Sequence, residues 1–167
     1  MASKLQITGA DKGLSHFLSG QCVLADVIMA TNIPKFHILL SGPEAPNPTE
    51  LLESERFTGM LESMKNVYDY IIIDCPPTLS ILTINAFCAA DGLIIPMTCE
   101  YYSLEGVSDL LLSIRAVREQ VNSGLVITGL LRVKFDPRIT LQREVSEQLS
   151  GYFGSSVFSS VIPTNVR

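Results

Sequence analysis

The sequence predicts an α/β fold, a mostly parallel sheet flanked by helices, and three observations carry that prediction. The first is a set of short apolar runs rich in β-branching: Ile71 to Ile73, Gly92 to Thr98 (GLIIPMT) and Leu125 to Val133. Runs of that length, apolar throughout, are the mark of strands buried on both faces in parallel sheets. The second is the helical spacing of apolar residues in the segments between them, the alternation that builds βα units. The third is composition: 47% hydrophobic against 17% charged residues belongs to a well-buried globular chain, not to disorder. A chain of 167 residues suits one domain and buries roughly 70% of its unfolded surface.

In chain order, residues 1–12 carry little pattern. Gly13 to Thr31 places Leu14, Phe17, Leu18, Val23, Leu24, Val27 and Ile28 as one or two short helices broken near Gly20. Phe36 to Leu40 is a short strand, and Ser41 to Pro48 (SGPEAPNP) a loop of turn formers. A helix follows, with Asn47 as N-cap, Pro48 at the first helical position and Glu50 positioned for a capping box. Phe57, Met60, Leu61, Met64 and Val67 line its inner face. After the Ile71–Ile73 strand, Thr78 to Ala90 is a helix rich in small residues. Ser103 caps an amphipathic helix carrying Leu104, Val107, Leu110, Leu111, Ile114 and Val117. Ile139 to Tyr152 is a helix with Leu141, Val145 and Leu149 inward, and Val157 to Ile162 a last strand ending at Pro163.

Charge and cysteines narrow the function classes. A formal charge of −5 argues against wholesale electrostatic binding to nucleic acid, though not against a local basic patch. Cys22, Cys75, Cys88 and Cys99 form no CxxC pair, and His16 and His37 are far apart. Neither a zinc site nor a disulfide framework follows, which points to reduced core thiols in a cytosolic protein. The start, MASKLQITGA, lacks the apolar core of a signal peptide, and Ile84 to Cys99 is broken by Asp91 and too short to span a bilayer.

The stretch with the most chemistry is YDYIIIDCPPTL, Tyr68 to Leu79. Pro76 and Pro77 cannot continue a ladder, so the strand must stop at Asp74. That leaves a carboxylate at the carboxyl end of an interior strand, where open α/β sheets bind ligands. In a phosphate-handling site an acid there holds Mg²⁺ or its waters; the plainer alternative is an acid that caps the next turn.

YDYIIIDCPPTLSILTINAF, LIIPMTCEYYSLEGVSDLL and the closing VIPTNVR together resemble the ParA/Soj chromosome- and plasmid-partitioning ATPases, deviant P-loop NTPases grouped with MinD and the bacterial tyrosine kinases. The resemblance covers about residues 66 to 167. GLSHFLSGQ through GPEAPNPTELLES is more similar to the tyrosine-kinase branch. The family implies ATP and Mg²⁺ as cofactors, a homodimer, a ParB-like partner, non-specific DNA binding and a cytoplasmic location. By position, Asp74 matches the Walker B aspartate, which holds magnesium through water and helps order the attacking water. Pro76 and Pro77 match the turn after it, and Glu100 to Gly106 the segment opening a helix near the dimer face. Pro163 and Asn165 match the loop near the adenine, where Thr164 stands in place of a common Arg. Arg138, in FDPRIT, lies in a segment the partition proteins share; it is read either as a surface salt bridge or as a DNA phosphate contact.

One departure outweighs the rest. No GxxxxGK[ST] or KGGxGKT occurs, and TGADKGLS (Thr8 to Ser15) has Gly9, Lys12 and Gly13 in the wrong order. Without that loop there is no nest of N–H groups and no lysine for the phosphates. Relative to the family, residues 1–167 are therefore expected to be a single α/β domain lacking the P-loop strand and helix, with an apolar slot beside the central strand. The expectation is weak or no ATP–Mg²⁺ binding by this chain alone. The functions left in play are a ParA-type ATPase homologue, a non-catalytic interaction module keeping the helices Ser103 to Val121 and Ile139 to Tyr152, and part of a tyrosine-kinase-like ATPase. The last is disfavoured because there is no tyrosine-rich tail, only Tyr68, Tyr70, Tyr101, Tyr102 and Tyr152.

Elsewhere the signals are faint. Ser15 and His16 have no acid arranged around them for a hydrolytic triad. Arg132, Lys134, Arg138 and Arg143 cluster near one end of the third strand. They are either a solvated face or, in Lys134 and Arg138, a region that approaches DNA in this family.

Overall fold

The computed structural model describes residues 12–100 and 103–164, with the side chains of 103–105 also outside the description. The chain divides into two compact units, residues 1–85 and 86–167.

The first unit opens with α1 (Leu14–Leu18), a 3-10 turn at Leu24–Asp26, and an antiparallel pair, β1 (Ile28–Ala30) and β2 (His37–Leu39). The sequence reading took Ile28 as helical. It instead pairs with Leu39, with Met29 opposite Ile38, because the chain reverses through a turn at 31–36 tied by Thr31 Oγ1 donating to Phe36 O at 2.8 Å. The expected single helix after Asn47 is two: α2 (Pro48–Leu52) and α3 (Glu55–Lys65). Ser54 causes the break. Its Oγ accepts from the Phe57 N–H at 3.3 Å, capping a new start. Phe17, Leu18, Val27 and Met60 form this unit's core, with Phe57, Leu61 and Met64 packed on it. Val67 lies past the end of α3 and is exposed.

Ile71 to Ile73 is the main correction. No described strand pairs with residues 70–76. Tyr70 is 87% and Ile72 85% exposed. A strand apolar on both faces is stable only between two neighbours, and the described residues provide none. The run is apolar, yet Ile72 and Ile73 are exposed where burial is expected.

Helix α4 (Ile81–Ala89) crosses the boundary between the units. The second unit then alternates β3 (Gly92–Thr98), α5 (Ser103–Gln120), β4 (Val126–Phe135), α6 (Thr140–Phe153), a 3-10 turn at Gly154–Ser156 and β5 (Val157–Pro163). Its sheet is parallel in the order β3-β4-β5. Ile95, Met97, Val107, Ile114, Val117, Leu130, Val145 and Leu149 are buried, as their spacing requires. Leu141, expected inward, is 49% exposed and sits in the first turn of α6. Asn122 holds the end of α4. Its Nδ2 donates to the carbonyls of Phe87, Cys88 and Ala90 at 3.1, 3.2 and 2.8 Å, oxygens that a helix's last turn leaves unpaired.

Candidate functional site

In the first unit, Asp74 is exposed on the unpaired segment, followed by Cys75, which is half-buried, and by exposed Pro76 and Pro77. Burial raises the Cys75 thiol above its ordinary pKa, and the Asp74 carboxylate beside it adds to the rise. No strand is present for the prolines to end, and the chain bends at 77–78. Thr83 Oγ1 then donates to Thr78 O at 2.8 Å, fixing the approach to α4.

In the second unit, the residues singled out lie at the carboxyl ends of β4 and β5. Lys134 is exposed with φ of 52°, a left-handed conformation costly for a side chain with a Cβ. Its carbonyl accepts from Thr164 Oγ1 at 2.8 Å, while the Thr164 N–H donates to Phe135 O at 3.3 Å. Pro163 ends β5 and is exposed; Asn165 lies outside the described residues. Arg138 donates through Nε and Nη2 to both Asp136 oxygens, at 2.9 and 2.7 Å, and its side chain is 81% exposed. Arg143 donates from Nη2 to Thr140 Oγ1 at 3.4 Å.

The expected basic cluster loses one member. Arg132 turns inward, donating from Nη1 to Ser146 Oγ at 2.8 Å and from Nη2 to the Phe158 and Ser159 carbonyls at 2.8 and 3.3 Å. Its charge reaches the buried Cys99, where burial raises the thiol pKa and Arg132 lowers it by less. A lone arginine amid apolar residues, GLLRVKF, was the available signal for an interior role. Ser15 and His16 make no triad: the His16 Nδ1 accepts from the Gly13 N–H at 3.3 Å. His37 is structural, its Nδ1 3.1 Å from Tyr68 Oη. Glu100 is exposed, as is Gly106 on α5, and Tyr101 and Tyr102 lie outside the described residues.

An ATP–Mg²⁺ site fits these residues poorly. Asp74 is a single carboxylate, and among the described residues no group of three or more His, Cys, Asp or Glu side chains is placed to hold a metal. A cleft of about 300 Å³ is lined by Ile95, Pro96, Met97, Gly106, Val107, Leu110 and Val133, with Thr98 the one polar side chain, and it offers a triphosphate no positive charge. Among the described residues no helix is long and apolar enough to cross a membrane.

Comparison with known proteins completes the picture. A family profile described as "AAA domain" matches residues 1–127. A protein of Pseudomonas putida is 42% identical over 170 residues, covering 96% of this chain and 65% of its own length. The sporulation initiation inhibitor protein Soj of Bacillus subtilis is 42% identical over 147 residues, covering 85% of this chain and 58% of Soj. This chain thus spans less than two thirds of these relatives. Among solved structures, cobyrinic acid a,c-diamide synthase from Mycobacterium smegmatis with bound ADP and magnesium superposes with a TM-score of 0.77 at 25% identity, covering 92% of this chain and 64% of that one. A plasmid partition protein from Borrelia burgdorferi shares the fold, with a TM-score of 0.66 at 21% identity over 98% of this chain and 68% of that one. The chain belongs to this AAA-domain family and is a member of its ParA/Soj group.

Proposed function

We propose that this protein is a ParA-type partitioning ATPase homologue, of the kind that segregates DNA under ATP control, and that these 167 residues alone do not bind or hydrolyse ATP. The likeness to Soj over 85% of the chain supports the first half. The missing phosphate loop supports the second: a triphosphate needs a nest of backbone N–H groups and a lysine, and no such motif stands in the sequence. Within the proposal, Asp74 would hold magnesium through water only where a phosphate loop is supplied alongside it. Pro76 shapes the turn after it. By the same resemblance, Pro163 and Asn165 would serve the base. Homodimerisation and a ParB-like partner come with the same reading, and Lys134 and Arg138 are its DNA-facing cations.

Calorimetric titration of the chain with ATP–Mg²⁺ tests the reading. The expected result is no saturable micromolar binding. Saturable binding that Asp74→Ala abolishes would overturn it.

A further inference from the structure

β5 does not keep one register against β4. Leu130 faces Val157, but Arg132 faces Val161, so β5 uses two more residues than β4 between these pairings. Farther along, Val133 faces Ile162 and Phe135 faces Pro163. Here β4 uses the extra residue, and that residue is Lys134 in its left-handed conformation. The two offsets together decide that Thr164 stands beside Lys134 and bonds both Lys134 O and Phe135 O.

A bulge takes backbone groups out of the ladder, and the freed carbonyls need other partners. Arg132 provides them. Its Nη2 serves the carbonyls of Phe158 and Ser159, inside the bulge, while Nη1 is anchored on Ser146 of α6. Ser146 is itself buried. The planar fork of a guanidinium can span two elements in this way, and an ammonium cannot. The arrangement leaves the buried Nε of Arg132 without a partner, which marks the placement as one set by the Nη contacts. Gly129 makes room for the bulge: a Cβ there would come within 2.7 Å of the Phe158 ring.

We infer that Arg132 is the positioning residue for the end of β5: it clamps the β5 bulge at Phe158–Ser159 and so sets the register that brings Thr164 onto Lys134. Any bearing of this on nucleotide or DNA rests on the proposed function, since Pro163 and Lys134 carry those roles there. The clamp itself does not.

The test therefore uses the whole chain with neither nucleotide nor DNA, so its failure is separate from failure of the functional reading. Hydrogen exchange and cross-strand NOEs are compared in the wild type, Arg132→Met and Arg132→Lys. Both substitutions are expected to speed exchange of the Thr164 amide by about tenfold or more, while the β3–β4 amides of Ile95 and Leu130 keep their rates. The NOE between positions 132 and 161 should give way to one between 132 and 159. Wild-type protection and register in Arg132→Met would overturn the inference. So would full rescue by Arg132→Lys, which would show that charge suffices. If neither variant folds, Ser146→Ala decides. Removing that anchor should speed Thr164 exchange by a few-fold, and an unchanged rate would overturn the clamp.

Discussion

The Asp136 carboxylate grips the Arg138 guanidinium through both oxygens and also accepts the Arg138 backbone N–H at 3.0 Å. The side-chain hydrogen bonds are the main reason that its pKa falls to about 2. An acid whose folded pKa lies below its unfolded value of about 3.9 stabilises the fold fully above that value. The contribution fades as pH drops through 4 toward 2. A carboxyl ¹³C titration should place Asp136 near 2, and Arg138→Ala should return it to the ordinary carboxylate range. No change on substitution would disprove the pairing in solution.

The same pair bears on the proposed DNA contact. With Arg138 neutralised by Asp136, Lys134 is the less compensated cation at that end of β4. Lys134→Glu with Arg138→Glu is expected to abolish any low-salt anisotropy signal with duplex DNA. Lys134→Gln alone should weaken it more than Arg138→Gln, and should lower the salt slope by about one. Binding unchanged in the double variant would exclude the patch.

Gly13 and Gly42 pack backbone against backbone. A Cβ on Gly13 would overlap the Gly42 N–H and stand 2.6 Å from Leu40 O. The same contact lets the Leu14 and Ser15 amides, at the start of α1, donate to Leu40 O and Ser41 O at 2.8 and 2.9 Å. Neither side can give way without breaking these bonds. Gly13→Ala should cost about 2 kcal/mol or more in denaturant unfolding, a cost typical of overpacking. A loss within experimental scatter would contradict the packing.

Asn122 closes α4 with one amide group on three carbonyls. Asn122→Ala leaves those oxygens without their donor and should lower stability by about 1–3 kcal/mol. Asn122→Asp should be worse, because a carboxylate replaces the donor with a charge facing the negative end of the helix. Equal stability of the two variants would count against the cap.

Local chemistry was enough for much of this fold. Gly92–Thr98 emerged as a strand with the bounds it has, and the buried positions of α5 and α6 followed from helical spacing, except where Leu141 sits in a first turn. The Ser54 break has a visible signal, a serine followed by Glu55 ahead of an apolar face. For the candidate site less was legible. Asp74, Pro76 and Pro77 stand on a segment without a ladder, because pairing depends on strands that the local residues do not name. Nothing near Lys134 announces its left-handed backbone, and the apolar setting of Arg132 in GLLRVKF points inward without naming its partners on α6 and β5.

On its own, the order of residues determined what each segment prefers: apolar period, caps, prolines, and a DCPP stretch resembling the ParA/Soj group. Only the tertiary structure decided which segments have neighbours and in what register. Helical preferences are satisfied within a few residues of the chain. A parallel strand instead draws its stability from hydrogen bonds to chain far away, and so Ile72 lies open while Ile95, equally apolar, is buried.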